Sequence, residues 1–374
     1  MSTPLGATIG LLGGGQLARM TAMAARSLGY GVAILDPDER CAASGLADWQ
    51  EVASFDDADA AARLAERCAV VSYEIEKIPE ASLRAVAERT ALRPSTEVLL
   101  VVQDRARQKR WLVEHGFPVG PFSEAHSAQE AERAAIALGG PCRLKAARGG
   151  YDGRGQARIS RAQEAAGAFE EIGAPACVVE REVALAAELS ALVARRPSGE
   201  IALHPVARNW HSGGVLDLSQ LPGDLPSDAI KQASEIARAI AQLLRVEGLL
   251  AVELFLTTSG ELLVNELSPR PHNTFHSADT ACATSQFEQY VRAICDLPLG
   301  ATDVVRPTAL ANLVGDLWAH GAAPRFERAL ALGDVKLHLY GKQPRKGRKV
   351  GHLLATAATP REAVERVEEA RALL

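Results

Sequence analysis

Residues 149–156 read Gly-Gly-Tyr-Asp-Gly-Arg-Gly-Gln, and Lys145 stands four positions before them. Four glycines in eight residues, with two charges and a tyrosine, make a poor helix or strand. They make a good mobile loop whose backbone N–H groups can close over phosphates. The flanks are apolar and strand-like: PCRLK over 141–145 and QARI over 156–159. A strand, a Gly-rich flap and a second strand, with a lysine at the base, suit a lid over ATP. A long polar hairpin turn is the plain alternative, and the loop by itself does not separate the two. As a lid, the loop is expected to be mobile without nucleotide and ordered with it.

At 374 residues the chain is longer than one ordinary core supports, so two or three domains are expected. A hydrophobic content of 47% and a charged content of 23% are globular values. The net charge of −5 argues against a general nucleic-acid binder, so a phosphate site must be a local concentration of lysine and arginine. Six scattered cysteines show neither a CxxC pair nor zinc spacing, and free buried thiols in a reducing cytoplasm are the expectation. The N-terminus lacks a basic stretch followed by a long apolar one, so no signal peptide is expected. No apolar run is long enough to cross a bilayer, so neither membrane nor nucleic acid is an expected partner.

Residues 8–12 (TIGLL) are a short apolar run, followed by Gly13-Gly14-Gly15-Gln16. Residues 17–28 have helical character, and 31–35 (GVAIL) are the next apolar run, ending at Asp36-Pro37. This is a βαβ opening with a Gly-rich first turn. With helices expected over 58–68 and 81–89 and a strand over 69–72, residues 1–102 read as a doubly wound parallel α/β domain. The spacing of Gly13, Gly15 and Ala18, with Asp36 after the second strand, invites a dinucleotide-binding reading. The same turn could seat another phosphate or ribose at a helix N-terminus, or be a tight turn only. A charged helix over 104–114 opens a small α+β unit, 103–181, that reads as a lid domain. It continues with a helix over 127–138, the strand–loop–strand unit, a helix over 162–172 and a strand over 176–180. The remainder, 182–374, starts with strands over 188–194 and 201–205 and a long helix over 227–244.

Residues 251–267 read AVELFLTTSGELLVNEL. Two alternating runs flank Ser259-Gly260, which predicts a hairpin with a two-residue turn. Thr258 then faces Glu261 and, counting outward, Glu253 lies opposite Glu266. Facing Cβ atoms are about 5 Å apart, so two carboxylates there repel unless a cation or a proton intervenes. Mg²⁺ accepts one or two carboxylates and completes its shell with water and phosphates. The apolar neighbours Val252, Leu254, Phe255, Leu262, Leu263 and Val264 favour a buried metal site over a solvated acidic pair, and Asn265 could add its amide. The segment from Ser268 to His276 (SPRPHNTFH) is stiffened by two prolines and carries Arg270, His272, Asn273 and His276, a natural substrate contact. Residues 342–349 (KQPRKGRK) hold five basic residues in eight positions, which suits a phosphomonoester; a solvated charged turn is the alternative.

In this order, the motifs resemble the ATP-grasp superfamily and, within it, the N5-carboxyaminoimidazole ribonucleotide synthetases. The resemblance runs over nearly the whole chain. Its most specific pieces are residues 149–156, ELSPRPHN over 266–273 and HLYGKQPRKGRKVGH over 338–352, with GGGQLARM over 13–20 and YEIE over 73–76 fitting the same family. The implied fold is a multidomain α/β and α+β ATP-grasp fold with an N-terminal Rossmann-like domain. The implied reaction uses ATP, Mg²⁺ (or Mn²⁺) and bicarbonate to carboxylate 5-aminoimidazole ribonucleotide through carboxyphosphate, in purine biosynthesis, and a homodimer is implied. Arg105, Lys145, Gly150, Tyr151, Asp152, Gly153, Arg154, Gly155 and Gln156 resemble the phosphate-binding set. Glu180, Arg181, Glu182 and Val183 resemble the hinge whose backbone reads adenine. Glu188 resembles the ribose acceptor, His211 a histidine at the nucleotide site, and Asn265 and Glu266 complete that site. Glu253 and Glu266 resemble the metal ligands. Gln16, Leu17, Glu74, Asn273, Lys342, Arg348 and Lys349 resemble the ribonucleotide contacts. Lys145, Tyr151, Asp152, Arg154, Arg270 and His272 are the residues expected to carry the chemistry.

Two departures stand out: Ala18 replaces a glycine of the first motif, and Phe275 replaces a glycine, adding bulk near the expected active site. Three other functions compete. A sister enzyme would formylate glycinamide ribonucleotide with formate, using the same nucleotide apparatus. An NAD(P)-dependent oxidoreductase would use the turn at 13–18 and leave Glu253, Glu266 and the flap without a use. A regulatory ATP-binding protein would bind without turnover.

Overall fold

The computed structural model describes residues 2–150, 155–318 and 323–374, so readings on Tyr151, Asp152, Gly153 and Arg154 lie outside the described residues. The apolar runs of the first hundred residues pair side by side. They form β1 (Thr8–Leu12), α1 (Gln16–Ser27), β2 (Gly31–Leu35), β3 (Trp49–Glu51), α2 (Ala58–Glu66), β4 (Val70–Tyr73), α3 (Glu80–Ala87), β5 (Ala91–Leu92) and α4 (Thr96–Val102). The five strands run in the order β3-β2-β1-β4-β5, all pairs parallel. The winding reverses between β1 and β4, and the turns after these two strands therefore meet.

The next stretch gives α5 (Arg105–Glu114), β6 (Phe122–Ala125), α6 (Ala128–Leu138), β7 (Cys142–Ala146), β8 (Gln156–Ile159), α7 (Glu164–Ile172) and β9 (Cys177–Arg181). Asp104 caps α5 by accepting the Arg107 N–H, and Ser127 caps α6 by accepting that of Glu130. The strands form an antiparallel sheet, order β6-β9-β7-β8, over a small core including Ala125, Leu144 and Val179.

The rest comprises β10 (Leu185–Arg195), β11 (Ile201–Leu203), β12 (Ala207–Ser212), β13 (Val215–Leu221), α8 (Ser227–Leu243), β14 (Gly248–Thr257), β15 (Leu262–Ser268), α9 (Ala278–Ala281), α10 (Gln286–Ile294), β16 (Thr308–Val314), α11 (Phe326–Leu330), β17 (Val335–Leu339), β18 (Lys349–Thr356) and α12 (Pro360–Ala372). Its nine strands form one antiparallel sheet, order β15-β14-β10-β12-β13-β16-β18-β17, with β11 on β10. Ala229, Ala233, Ala237 and Ala241 recur every fourth residue along α8 and pack into the core beneath β10 and β14. All six cysteines are buried and unpaired. No helix among the described residues is long and apolar enough to cross a membrane.

The hairpin of β14 and β15 corrects the two-residue turn. Near the turn Leu256 faces Leu262 and Leu254 faces Val264, and Thr257 N–H donates to Glu261 C=O. The loop therefore has three residues, Thr258 to Gly260, and Gly260 takes φ +88°, the αL position of such loops. One step further, the register shifts, and Glu253 faces Glu266 as expected. Asn265 is the extra residue of this bulge.

Candidate active site

A cleft of about 840 Å³ lies where the three sheets meet, within the usual range of ligand sites. Its floor is built on a nearly buried carboxylate. Glu180, near the end of β9, accepts from Arg105 Nε at 2.8 Å and Lys145 Nζ at 2.7 Å, and Lys109 Nζ lies 3.5 Å away. Arg105 and Lys109 stand one turn apart on α5, and Lys145 comes across the sheet from β7. Burial alone would raise the Glu180 pKa, but the three cations outweigh it and hold the carboxyl well below the usual range. Burial pushes Lys109 down to about 8 and lowers Lys145 too, Arg105 adding to the effect at Lys145. Arg105 moves up: burial opposes its charge, but Glu180 and Glu266 more than compensate. Glu180 was expected to offer its backbone, and its side chain is the hub of the cluster. The sequence marks Lys109 only as part of a charged helix; its i, i+4 spacing from Arg105 is the signal that places both on one face.

The carboxylate pair sits on the neighbouring wall, and here the expectation needs correcting. Glu266 is 45% exposed, not buried, and accepts from Arg105 Nη1 at 2.9 Å. Glu253 accepts from Asn265 Nδ2 at 3.1 Å and pairs with His272 Nε2 at 3.0 Å. Each carboxylate thus has its own protein partner, Arg105 for Glu266 and His272 for Glu253. Burial would raise the Glu253 pKa, and the His272 contact overrides it and lowers the pKa. Asn265, the bulge residue, bridges the two sides: its Oδ1 accepts from Arg105 Nη2 at 3.0 Å. The bulge is what lets adjacent Asn265 and Glu266 both reach the cleft.

The expected hinge lies along the same cleft. Glu180, Arg181, Glu182 and Val183 all line it, and Glu182 is held by Arg143 at 3.2 Å and Arg158 at 2.9 Å. Glu188 on β10 is ion-paired with His211 on β12. Burial opposes a charge on His211, but Glu188 raises its pKa overall. Gly150, Gly155 and Gln156 reach the cleft from either side of the flap, and Lys145 pairs with Gln156 across β7 and β8.

The Gly-rich turn after β1 has a different use from the dinucleotide one. The Glu74 carboxylate, just past β4, accepts the N–H groups of Gly15 at 2.7 Å, Leu17 at 3.2 Å and Ala18 at 3.1 Å. The anion position at the N-terminus of α1, where a pyrophosphate would sit, is filled by the protein itself. Asp36, the expected ribose ligand, accepts from Gly14 N–H at 2.7 Å instead. A Cβ on Gly13 would lie 2.7 Å from Glu74 Cγ, and one on Gly14 would strike Cys41 Sγ. These glycines serve close approach of protein atoms, and the oxidoreductase reading falls. Burial raises the Glu74 pKa, and the N–H donors counter it only in part.

Arg270, His272 and Asn273 line the cleft from the segment after β15. Arg270 Nη2 pairs with Glu76 at 2.7 Å. Gln16 links two further candidates, donating to Asn273 Oδ1 at 2.8 Å and accepting from Lys342 Nζ at 2.6 Å. Gln16, Leu17, Glu74 and Lys342 do not line this cleft, whereas Lys349 does. Arg348 is not on the wall; its guanidinium donates to Gln343 C=O within its own loop at 3.2 Å. Phe275 is fully buried in the core against His204 and adds no bulk to the cleft.

Sequence profiles agree with this architecture. The ATP-grasp domain matches residues 110–287, the ribonucleotide synthetase preATP-grasp domain residues 6–103, and the phosphoribosylaminoimidazole carboxylase C-terminal domain residues 308–366. Cleft, sheets and profiles together define an ATP-grasp protein. The N5-carboxyaminoimidazole ribonucleotide synthase of Bacillus subtilis (strain 168) is 40% identical over 351 residues, 93% of this chain and 91% of the relative. A crystal structure of the ADP complex of an N5-carboxyaminoimidazole ribonucleotide synthetase aligns with a TM-score of 0.93 at 36% identity, covering 99% of this chain and 98% of the other. The Aspergillus clavatus synthase, solved with ADP and 5-aminoimidazole ribonucleotide, aligns with a TM-score of 0.90 at 28% identity, covering 98% of both chains. The chain belongs to the N5-carboxyaminoimidazole ribonucleotide synthase family.

Proposed function

We propose that this chain is an ATP-dependent ligase that carboxylates 5-aminoimidazole ribonucleotide with bicarbonate, giving N5-carboxyaminoimidazole ribonucleotide, ADP and phosphate. The observation that carries the reading is the Glu180 cluster joined through Arg105 to the Glu253–Asn265–Glu266 oxygens in one cleft. A bicarbonate oxygen attacks the γ-phosphorus of ATP and ADP leaves. The exocyclic amine then attacks the carbonyl carbon of the carboxyphosphate, phosphate leaves, and the amine gives up a proton.

Arg105 and Lys145, each tied to Glu180, supply fixed positive charge where the transferred phosphoryl group gains negative charge. Glu76 orients Arg270 beside His272 and Asn273, where bicarbonate and the amine would meet. The carboxylate and amide oxygens of Glu253, Glu266 and Asn265 are hard donors that fit Mg²⁺ or Mn²⁺. No group of three or more His, Cys, Asp or Glu side chains able to hold a metal occurs among the described residues. When bound, such a cation neutralises phosphate charge. Gln16, Asn273, Lys342 and Lys349 are assigned to the ribonucleotide.

The test is ADP release in bicarbonate buffer with Mg²⁺ and ATP. Release is expected to rise when 5-aminoimidazole ribonucleotide is added, and not with glycinamide ribonucleotide plus formate. No response to the first, or a response to the second alone, refutes the assignment.

A further inference from the structure

Three histidines without a part in the reaction lie stacked beneath the loops assigned to the ribonucleotide. His338 and His352 face one another across β17 and β18, with ring centroids 4.6 Å apart and planes within 10°. His276, in the 3₁₀ turn Asn273–Ser277, also stacks on His352, at 4.7 Å and 15°. Both His276 and His352 are fully buried.

The stack is tied at its middle ring, His352, and at its His276 end. The Tyr340 hydroxyl and His352 Nδ1 share a hydrogen bond of 2.6 Å. The Tyr340 ring lies 5.7 Å from Lys342 Nζ, and Lys342 donates to Gln16. In the other direction, Gln286 Nε2 lies 3.2 Å from His276 Nδ1. The same Gln286 side chain accepts the His272 N–H and donates to the His272 C=O, both at 2.9 Å. His272 in turn meets Glu253. Contacts therefore run without a break from the carboxylate pair to the basic loop.

Flat rings packed face to face give a stiff spacer, because a close-packed interior has little compressibility. A lysine at a loop start, by contrast, has a long flexible stem and loses rotamer freedom when fixed. We propose that His276, His352, Tyr340 and Gln286 are positioning residues that set the distance between His272 and Lys342. They hold the ribonucleotide's phosphate end in register with its reacting amine. The inference rests on the ribonucleotide assignment above.

Tyr340→Phe removes one hydrogen bond and keeps the ring by Lys342; Gln286→Met releases the opposite end. Each is expected to raise the KM for 5-aminoimidazole ribonucleotide about three- to tenfold, the scale of one hydrogen bond, with the KM for ATP within about twofold of wild type. The unchanged ATP value also reports that the variant is folded. If Gln286→Met does not fold, His276→Phe drops the same contact and keeps a ring in the stack. Effects at separated sites normally add in free energy and so multiply in KM. A spacer already loosened by either change predicts that the double variant stays within about twofold of the larger single effect. Multiplying effects, unchanged ribonucleotide KM in the single variants, or an equal rise for ATP would overturn the proposal. A wild type without ribonucleotide-dependent ADP release would overturn the assignment it rests on instead.

Discussion

Glu180 and Glu266 both contact Arg105, yet they are opposite kinds of carboxylate. Glu180 is nearly buried, with three cations around it, and removing its charge would leave those cations desolvated and facing one another. Glu266 is half exposed and touches a single N–H of Arg105, which stays anchored by Glu180 and Asn265 without it. An exposed pair of that sort contributes about 0–1 kcal/mol. Glu266→Gln should therefore melt within a few degrees of wild type in a thermal scan. Its ADP release should fall about a hundredfold or more, because a carboxylate that would help hold a cation against the phosphates is lost. Near wild-type turnover at ordinary Mg²⁺ would show that Glu266 is not a needed ligand. With Glu266 on Arg105 and Glu253 on His272 and Asn265, the case for a cation rests on the donor set itself.

At the scale of elements, the hairpin of β14 and β15 shows how a register can be right for an incomplete reason. Counting from a two-residue turn put Glu253 opposite Glu266, while the chain uses a three-residue turn and a later bulge whose effects cancel. Alternation made the two strands legible; the bulge was not, since Asn265 differs from a regular strand residue only through its contacts with Arg105 and Glu253. The same limit applies elsewhere. β1, β2 and α8 were readable from apolar period, whereas β3 and β5 are three and two residues long and carry no period at all. The phosphate-side residues were legible as motifs, but Glu74 as a cap on α1 joins positions 59 apart for the Gly15 bond and needs the parallel sheet to bring them together. Two glycine substitutions separate strain from clash. At Gly260 an added Cβ meets nothing within 4 Å, but φ is +88°, so Gly260→Ala should cost about 1–2 kcal/mol and leave turnover unchanged. At Gly15 φ is −76°, but the Cβ would strike Glu74 Oε1. Gly15→Ala should therefore displace the Glu74 cap and raise the ribonucleotide KM through Gln16, next in the chain, with the ATP KM little changed. Thermal scans and steady-state kinetics on both variants check this, and equal behaviour of the two would contradict it.

Across the whole molecule, the first and third sheets share an interior: Ile9, Val32 and Ala22 pack in one cluster with Leu192, Leu249, Tyr290 and Ile294. Anything that loosens that shared core is felt by both. Buried histidines are such a lever. His204, His276 and His352 are almost fully buried, and burial holds the pKa of His204 down to about 4 and the other two well below the ordinary histidine value. Above about pH 6.5 these rings are neutral in both the folded and unfolded chain, and their contribution is fully present. As the pH falls below that, the unfolded chain takes up protons that the folded rings refuse, so stability falls. Each ring contributes up to about 1.4 kcal/mol per pH unit until its own folded pKa is reached. His211 runs the other way, since Glu188 raises its pKa; its contribution is complete below about pH 6.5 and is lost as the pH rises through the folded pKa. Below pH 6.5 the His211 contribution no longer changes, and burial lowers the His338 pKa as well, so the buried rings set the slope and the thermal midpoint should drop between pH 6.5 and 5. His204→Gln removes one of these titrating rings, so its midpoint should fall less steeply over the same range, whatever its stability at pH 7. A wild-type midpoint flat from pH 6.5 to 5, or a slope unchanged by His204→Gln, would mean that these rings are already protonated in the folded chain.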